Sequence, residues 1–209
     1  MAIKPILFNT DMVRAILEGK KTQTRRLVKP HYHVGDAGFN VVTMANTGAF
    51  CYIEYYDADE RSTERRMNPP YNRDDILWVR ETWKQYTAGT FGPGLIDGYM
   101  YKADEPKDTS RMMVEGRWHP SIHMPRKAAR IFLRVTDVRA ENLQSITEED
   151  AMDEGVKPEP PFSMFPYTRG FASVWNSTIK PADLHRFGWN ANPWVWVIEF
   201  ERTEQTTPF

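Results

Sequence analysis

Met12, Val13, Ile16 and Leu17 fall on one face at helical spacing, so the first amphipathic stretch of the chain reads as a helix. Thr10 or Asp11 supplies a cap at its start and Gly19 a stop at its end. Elsewhere the apolar positions come in short blocks typical of strands. Such blocks occupy residues 5–9, 21–28, 50–56, 75–83, 99–102, 129–138 and 193–202. The stretch after residue 56 reads as a charged turn through Arg66. Ser145 or Thr147 caps a short acidic helix running to Glu154, which Gly155 ends. Pro158, Pro160, Pro161 and Pro166 mark a loop over 156–168, and residues 171–179 read as helix.

Many short strands with few helices predict an α+β chain, mainly β, folded as a small, partly closed barrel with flanking helices and long inserted loops. Residues 1–209 read as a single domain with insertions near 84–119 and 156–191. The first helix is expected across one end of the barrel. Loops 84–119 and 156–170 are expected to border any cleft there, because long loops in compact domains often carry function.

Composition narrows the function. The net charge is −1, so contact with a nucleic acid requires a local basic patch rather than a generally basic surface. A single Cys51 excludes an intrachain disulfide and a Cys-rich zinc site. No apolar run reaches the roughly 18 residues needed to span a bilayer, and the chain reads as cytoplasmic, without a membrane partner. Aromatic residues make up 13% of the chain, which suits either a packed core or stacking on a flat ligand. His31 and His33 are spaced as metal ligands can be but lack a third ligand nearby. The expectation is therefore no metal and no cofactor. The Pro-Cys-x-x-Cys of zinc deaminases, the Gly-x-Ser-x-Gly elbow and phosphate-cradling glycine loops are all absent.

The segment Gly19-Lys20-Lys21-Thr22-Gln23-Thr24-Arg25-Arg26 carries the pattern Gly-x-Lys-x-x-x-x-Arg between the first helix and the second strand. With the acidic stretch 146–155 and the closing strand Asn192-Pro193-Trp194-Val195-Trp196-Val197, it resembles the signature of the ASCH family. That resemblance implies a PUA-like barrel, related to RNA-binding folds. Long members of the family occur among phage and prophage proteins. Small bacterial members are amidohydrolases that deacylate N(4)-acetylcytidine. Carried over by motif, the resemblance makes Lys21, Thr24 and Glu154 the catalytic set, though Glu148, Glu149, Asp150 and Asp153 lie close by.

The chemistry is coherent for those residue types. Amide cleavage needs a nucleophile, a proton acceptor and a donor to the leaving amine. A Thr hydroxyl needs a nearby base, and Lys serves when burial or neighbouring cations such as Arg25 and Arg26 favour its neutral form. Regular strand alternation puts 22, 24 and 26 on one face and 21 on the other, so Lys21 must sit at a loop mouth or a bulge. Thr22, Arg26, Arg80, Glu81, Trp83, His123 and Arg126 are the candidate substrate contacts, with a small nucleoside as partner. The same residues also fit plainer roles: a solvated basic strand, an internal Arg–Glu pair, a core Trp and a packed loop at 118–126. Two other functions compete. One is an RNA-binding module or ribonuclease, with Lys20, Lys21, Arg25, Arg26, Arg126 and Lys127 as a phosphate track. The other is a non-catalytic phage assembly protein.

Overall fold

Pro5 lies inside the first strand, and a proline without an N–H belongs on a sheet edge. The computed structural model, which describes residues 1–29, 37–43, 50–89, 95–105, 117–159 and 164–204, places it there. Strand β1 (Ile3–Leu7) is one edge of a five-stranded sheet. Its order is β1, β6 (Ile76–Arg80), β9 (Phe132–Asn142), β10 (Trp194–Thr203) and β2 (Gln23–Leu27). The β1–β6 pairing is parallel and the others antiparallel. A bulge between Glu199 and Phe200 shifts the β9–β10 register.

Two smaller sheets complete the β structure among the described residues. One contains β3 (Gly38–Thr43), β4 (Phe50–Tyr56) and β5 (Ser62–Met67). The other is the hairpin of β7 (Trp83–Gly89) and β8 (Leu95–Tyr101). The chain is therefore α+β and mainly β, and no closed barrel forms among the described strands. In the five-stranded sheet β1 and β2 remain edges, unpaired to each other. Side chains bond to the β1 margin instead. Arg26 Nη2 donates to the Leu7 carbonyl at 2.6 Å, and Tyr71 Oη donates to the Pro5 carbonyl at 2.9 Å.

Strand β10 explains how two helical layers find the sheet. Its residues alternate between two cores, as a central strand buried on both faces must. Trp196, Ile198 and Phe200 join Ile6, Val13, Ile16, Leu77, Val79, Leu133 and Val135 under α1 (Thr10–Leu17). Val195 and Val197 join Leu143, Ala151, Phe171 and Trp175 under α2 (Glu148–Asp153) and α3 (Pro166–Thr178). Each fully buried aliphatic chain contributes roughly 1.5–3 kcal/mol.

Local chemistry sets the boundaries. Asn9, rather than Thr10 or Asp11, caps α1 by accepting from Met12 N at 2.9 Å. Thr147 and Asp150 form a capping box at the start of α2. Gly155 ends that helix at φ +73°, where a Cβ would lie 2.7 Å from the Ala15 Cβ and 3.0 Å from the Lys21 Cβ. Pro166 opens α3 from its first turn, so the proline-rich loop ends sooner than its composition suggested. The stretch read as a charged turn is the strand β5, and the 84–119 insertion carries the β7–β8 hairpin. Arg14 of α1 holds the end of that hairpin by donating to the Lys102, Ala103 and Glu105 carbonyls. Residues 90–94, 106–116 and 160–163 of the expected insertions, and His31 and His33, lie outside the described residues. No helix among the described residues is long and apolar enough to cross a membrane.

Candidate active site

Lys21 sits outside β2, in a single antiparallel bridge with Glu154. The chain reaches that bridge directly from α1, because Lys20 N and Lys21 N both donate to the Ala15 carbonyl. Thr22 N then donates to the Asp153 carbonyl, and regular pairing with β10 begins at Gln23. The alternation of β2 therefore does not govern Lys21. Its Nζ lies 5.7 Å from the Phe8 ring centre, and Arg26 sits 5.3 Å from the same ring. Lys21 thus shares a ring with Arg26, the residue that strand periodicity alone set on the opposite face.

The Lys21 ammonium is fully buried and donates twice to Glu154, at 2.7 Å to Oε2 and 2.9 Å to the main-chain carbonyl. Burial lowers the Lys21 pKa, Glu154 opposes this, and the Arg26 and Arg25 charges reinforce it; the net direction is down. Arg25 grips the other carboxylate oxygen at 3.4 Å. Its side chain is also fully buried, with Asp150 at 3.3 Å and Glu141 at 3.6 Å. The Phe171 ring lies 5.9 Å away. Gln23 fixes α2 from the same face by donating to the Asp150 carbonyl and carboxylate. Burial alone would raise the Asp150 pKa, but hydrogen bonds from Thr147 and Gln23 and the Arg25 charge hold it below the ordinary value.

Thr24 is buried on β2, opposite Ile198, and makes no side-chain hydrogen bond to a described residue. Lys21 and Glu154 are therefore joined directly, while the Thr24 hydroxyl is not bonded to either.

Beside this cluster, in the seam between β1 and β2, lies an open cavity of about 470 Å³. Ile6, Leu7, Met67, Pro70, Tyr71 and Trp196 give it apolar and aromatic walls, and Arg26 and Lys29 line it as cations. Arg26 connects the two regions, since its guanidinium senses both Glu154 and Tyr71, while burial drives its pKa down. Burial raises the Tyr71 phenol.

Among the predicted contacts, Arg26 alone lines this cavity. Thr22 is exposed, and its backbone N–H is bonded to the Asp153 carbonyl. Arg80 pairs with Leu7 in the β1–β6 register, donates to the Ile122 carbonyl and lies over Trp78. Glu81 is buried in a two-pronged pair with Arg130, at 2.9 and 3.0 Å, and Arg130 also holds Asp104. Trp83 is a core residue beside His119, with ring centres 5.1 Å apart. His123 and Arg126 stand exposed on short 3-10 turns. The cavity wall comes from residues 67–71 instead of the 84–119 loop, and the described part of 156–170 packs beside α2, where Tyr167 N and Thr168 N donate to Glu148. Sequence reasoning missed Phe8 and Tyr71, and read Trp196 only as part of the closing strand. For Phe8 and Tyr71 the advance signal was aromatic character next to a turn or strand end. Among the described residues no three His, Cys, Asp or Glu side chains gather as metal ligands would.

Compared with known protein families, curated proteins and solved structures, the chain finds no match.

Proposed function

We propose that the chain is an ASCH-type protein with a PUA-like, side-chain-stitched barrel. In this reading it is a cytoplasmic amidohydrolase that removes the acyl group from N(4)-acylated cytidine. The observation that carries the reading is the Lys21–Glu154 pair, a buried amine shifted toward its neutral form and oriented by a carboxylate at 2.7 Å. Such a perturbed pair beside a cavity is a reasoned indicator of a reactive centre. The Gly19-to-Arg26 motif supplies the residue assignment.

In this reading neutral Lys21 accepts the Thr24 hydroxyl proton as Oγ bonds to the acyl carbon. The C–N(4) bond then breaks, and Lys21 returns the proton to the departing N(4) of cytosine. Water, deprotonated by Lys21, then adds to the acyl carbon; the bond to Thr24 Oγ breaks, Lys21 returns the proton to that oxygen, and the acid leaves as its carboxylate. Glu154 orients the amine throughout and balances its charge when protonated. Thr24 Oγ must come within hydrogen-bond reach of Lys21 Nζ when substrate is bound, a tightening common between free and occupied sites. Arg26 stands between the cavity and the pair, so substrate entry requires its guanidinium to leave the Leu7 carbonyl.

The deciding experiment incubates pure protein with N(4)-acetylcytidine in EDTA and follows free cytidine and acetate. Release of both, lost in Lys21→Ala, supports the reading. Absence of turnover with a folded protein ends it.

A further inference from the structure

We infer that the seam cavity binds an anionic group, and that the substrate of the proposed reaction is a cytidine nucleotide carrying a phosphate. This rests on the nucleoside reading above and extends it. The argument begins with two adjacent arginines that the fold treats oppositely. Arg25, facing α2, is surrounded by Glu154, Asp150 and Glu141. Arg26, facing the seam, has no carboxylate partner among the described residues. It makes one hydrogen bond to the Leu7 carbonyl and rests over the Phe8 ring.

A half-buried cation with no carboxylate in ion-pair contact is under-compensated, and an incoming anion would relieve it. Lys29 lines the same cavity, also without an ion pair to a described residue, and no Asp or Glu is among the described lining residues. The remaining walls suit the rest of a nucleotide. Tyr71, half-buried at the rim, offers aromatic surface for a base, and about 470 Å³ lies in the usual range for a small-ligand site. An acylated cytosine alone would leave both cations unused.

The test is calorimetric titration of the whole protein with cytidine 5′-monophosphate, cytidine, inorganic phosphate and a short cytidine-containing oligoribonucleotide, at low and physiological salt. The monophosphate should bind at least about tenfold more tightly than cytidine, with the gap narrowing as salt rises. Lys29→Gln, at an exposed position, should remove most of that advantage, and Lys29→Arg should keep it. Arg26→Gln should abolish it. Equal affinity for monophosphate and cytidine overturns the inference, as does an advantage untouched by both glutamine variants. Inorganic phosphate matching the monophosphate leaves only an anion site and overturns the nucleotide assignment. An oligoribonucleotide binding far more tightly than the monophosphate makes the ligand a polymer and overturns it too. Binding is read without turnover. A tight monophosphate complex in a protein that never deacylates N(4)-acetylcytidine therefore removes the amidohydrolase reading and leaves the phosphate site standing.

Discussion

Lys21 Nζ lies 2.7 Å from Glu154 Oε2 across a bridge between residues 133 apart in the chain, with both side chains out of water. Removing one partner strands the other charge. Glu154→Ala should therefore cost about 3–5 kcal/mol, read from urea unfolding. The double change Lys21→Met with Glu154→Met should recover much of that loss, since apolar replacement of both members of a buried pair is often close to neutral. Additive losses in the double variant would show that the two residues do not act as a pair.

Thr24 separates chemistry from stability. Its hydroxyl has no hydrogen-bond partner among the described residues, so Thr24→Ala should change the unfolding midpoint little while removing deacylation. Thr24→Ser should keep part of the activity. Lys21→Arg should lose roughly 100-fold to 10,000-fold in kcat, because a guanidinium stays protonated and cannot act as base. An RNA-binding role predicts the opposite for that variant, with binding kept along with the charge. Full hydrolysis by Lys21→Arg would remove Lys21 from the role of base.

The pH dependence follows from the direction of the Lys21 shift. Burial lowers its pKa, so the neutral form needed of a base appears below the ordinary lysine value of about 10.4. The kcat/KM for N(4)-acetylcytidine should be level at high pH and fall as pH drops through the folded value. Stability has the same sign, because the unfolded chain binds the proton more readily and folding gains as pH rises through that window. A profile with no acid-side limb down to the carboxylate range is the outcome that contradicts this.

Asp75 governs the acid end of stability. Burial alone would raise its pKa, but bonds from Lys4 Nζ at 2.9 Å, Asn72 N at 3.0 Å and Ala2 N at 2.7 Å outweigh it and hold it below the ordinary value. Its contribution is complete above the unfolded aspartate pKa of about 3.9 and disappears as pH falls through the folded value. Asp75→Asn should flatten that limb in unfolding midpoints measured against pH.

Gly155→Ala tests the junction between α1, α2 and Lys21. The position has positive φ, and the new methyl would press on the Ala15 and Lys21 Cβ atoms. A loss of about 1–3 kcal/mol is expected, together with weakened turnover as Lys21 shifts. Unchanged thermal unfolding would mean that the junction gives way freely.

What the sequence made legible follows from how local each signal was. Phe50–Tyr56 and the closing strand rest on apolar runs, α1 on its apolar face and glycine stop though its cap is Asn9, and α2 on its Thr147 cap and Gly155, so all four are readable in place. β5 reads Ser-Thr-Glu-Arg-Arg-Met, and its strand character comes from pairing with β4 rather than from its own pattern. The Lys21–Glu154 proximity was legible only through the motif. The cavity was not, because Tyr71, Trp196 and Arg26 converge from three distant segments, and that convergence depends on a seam left open between β1 and β2.

The open outer margin of β2 has a consequence for solubility. An unpaired strand is a template for recruiting another chain, and proteins blunt such margins with charge or cover. Here the Lys21–Glu154 bridge and the Thr22–Asp153 backbone bond occupy the start of the margin, and Arg26 spans the seam beyond them to the Leu7 carbonyl. The residues that would perform the chemistry also keep this margin from self-association, so a change that merely loosens α2 should appear first as aggregation, before any loss of the fold's inner strands.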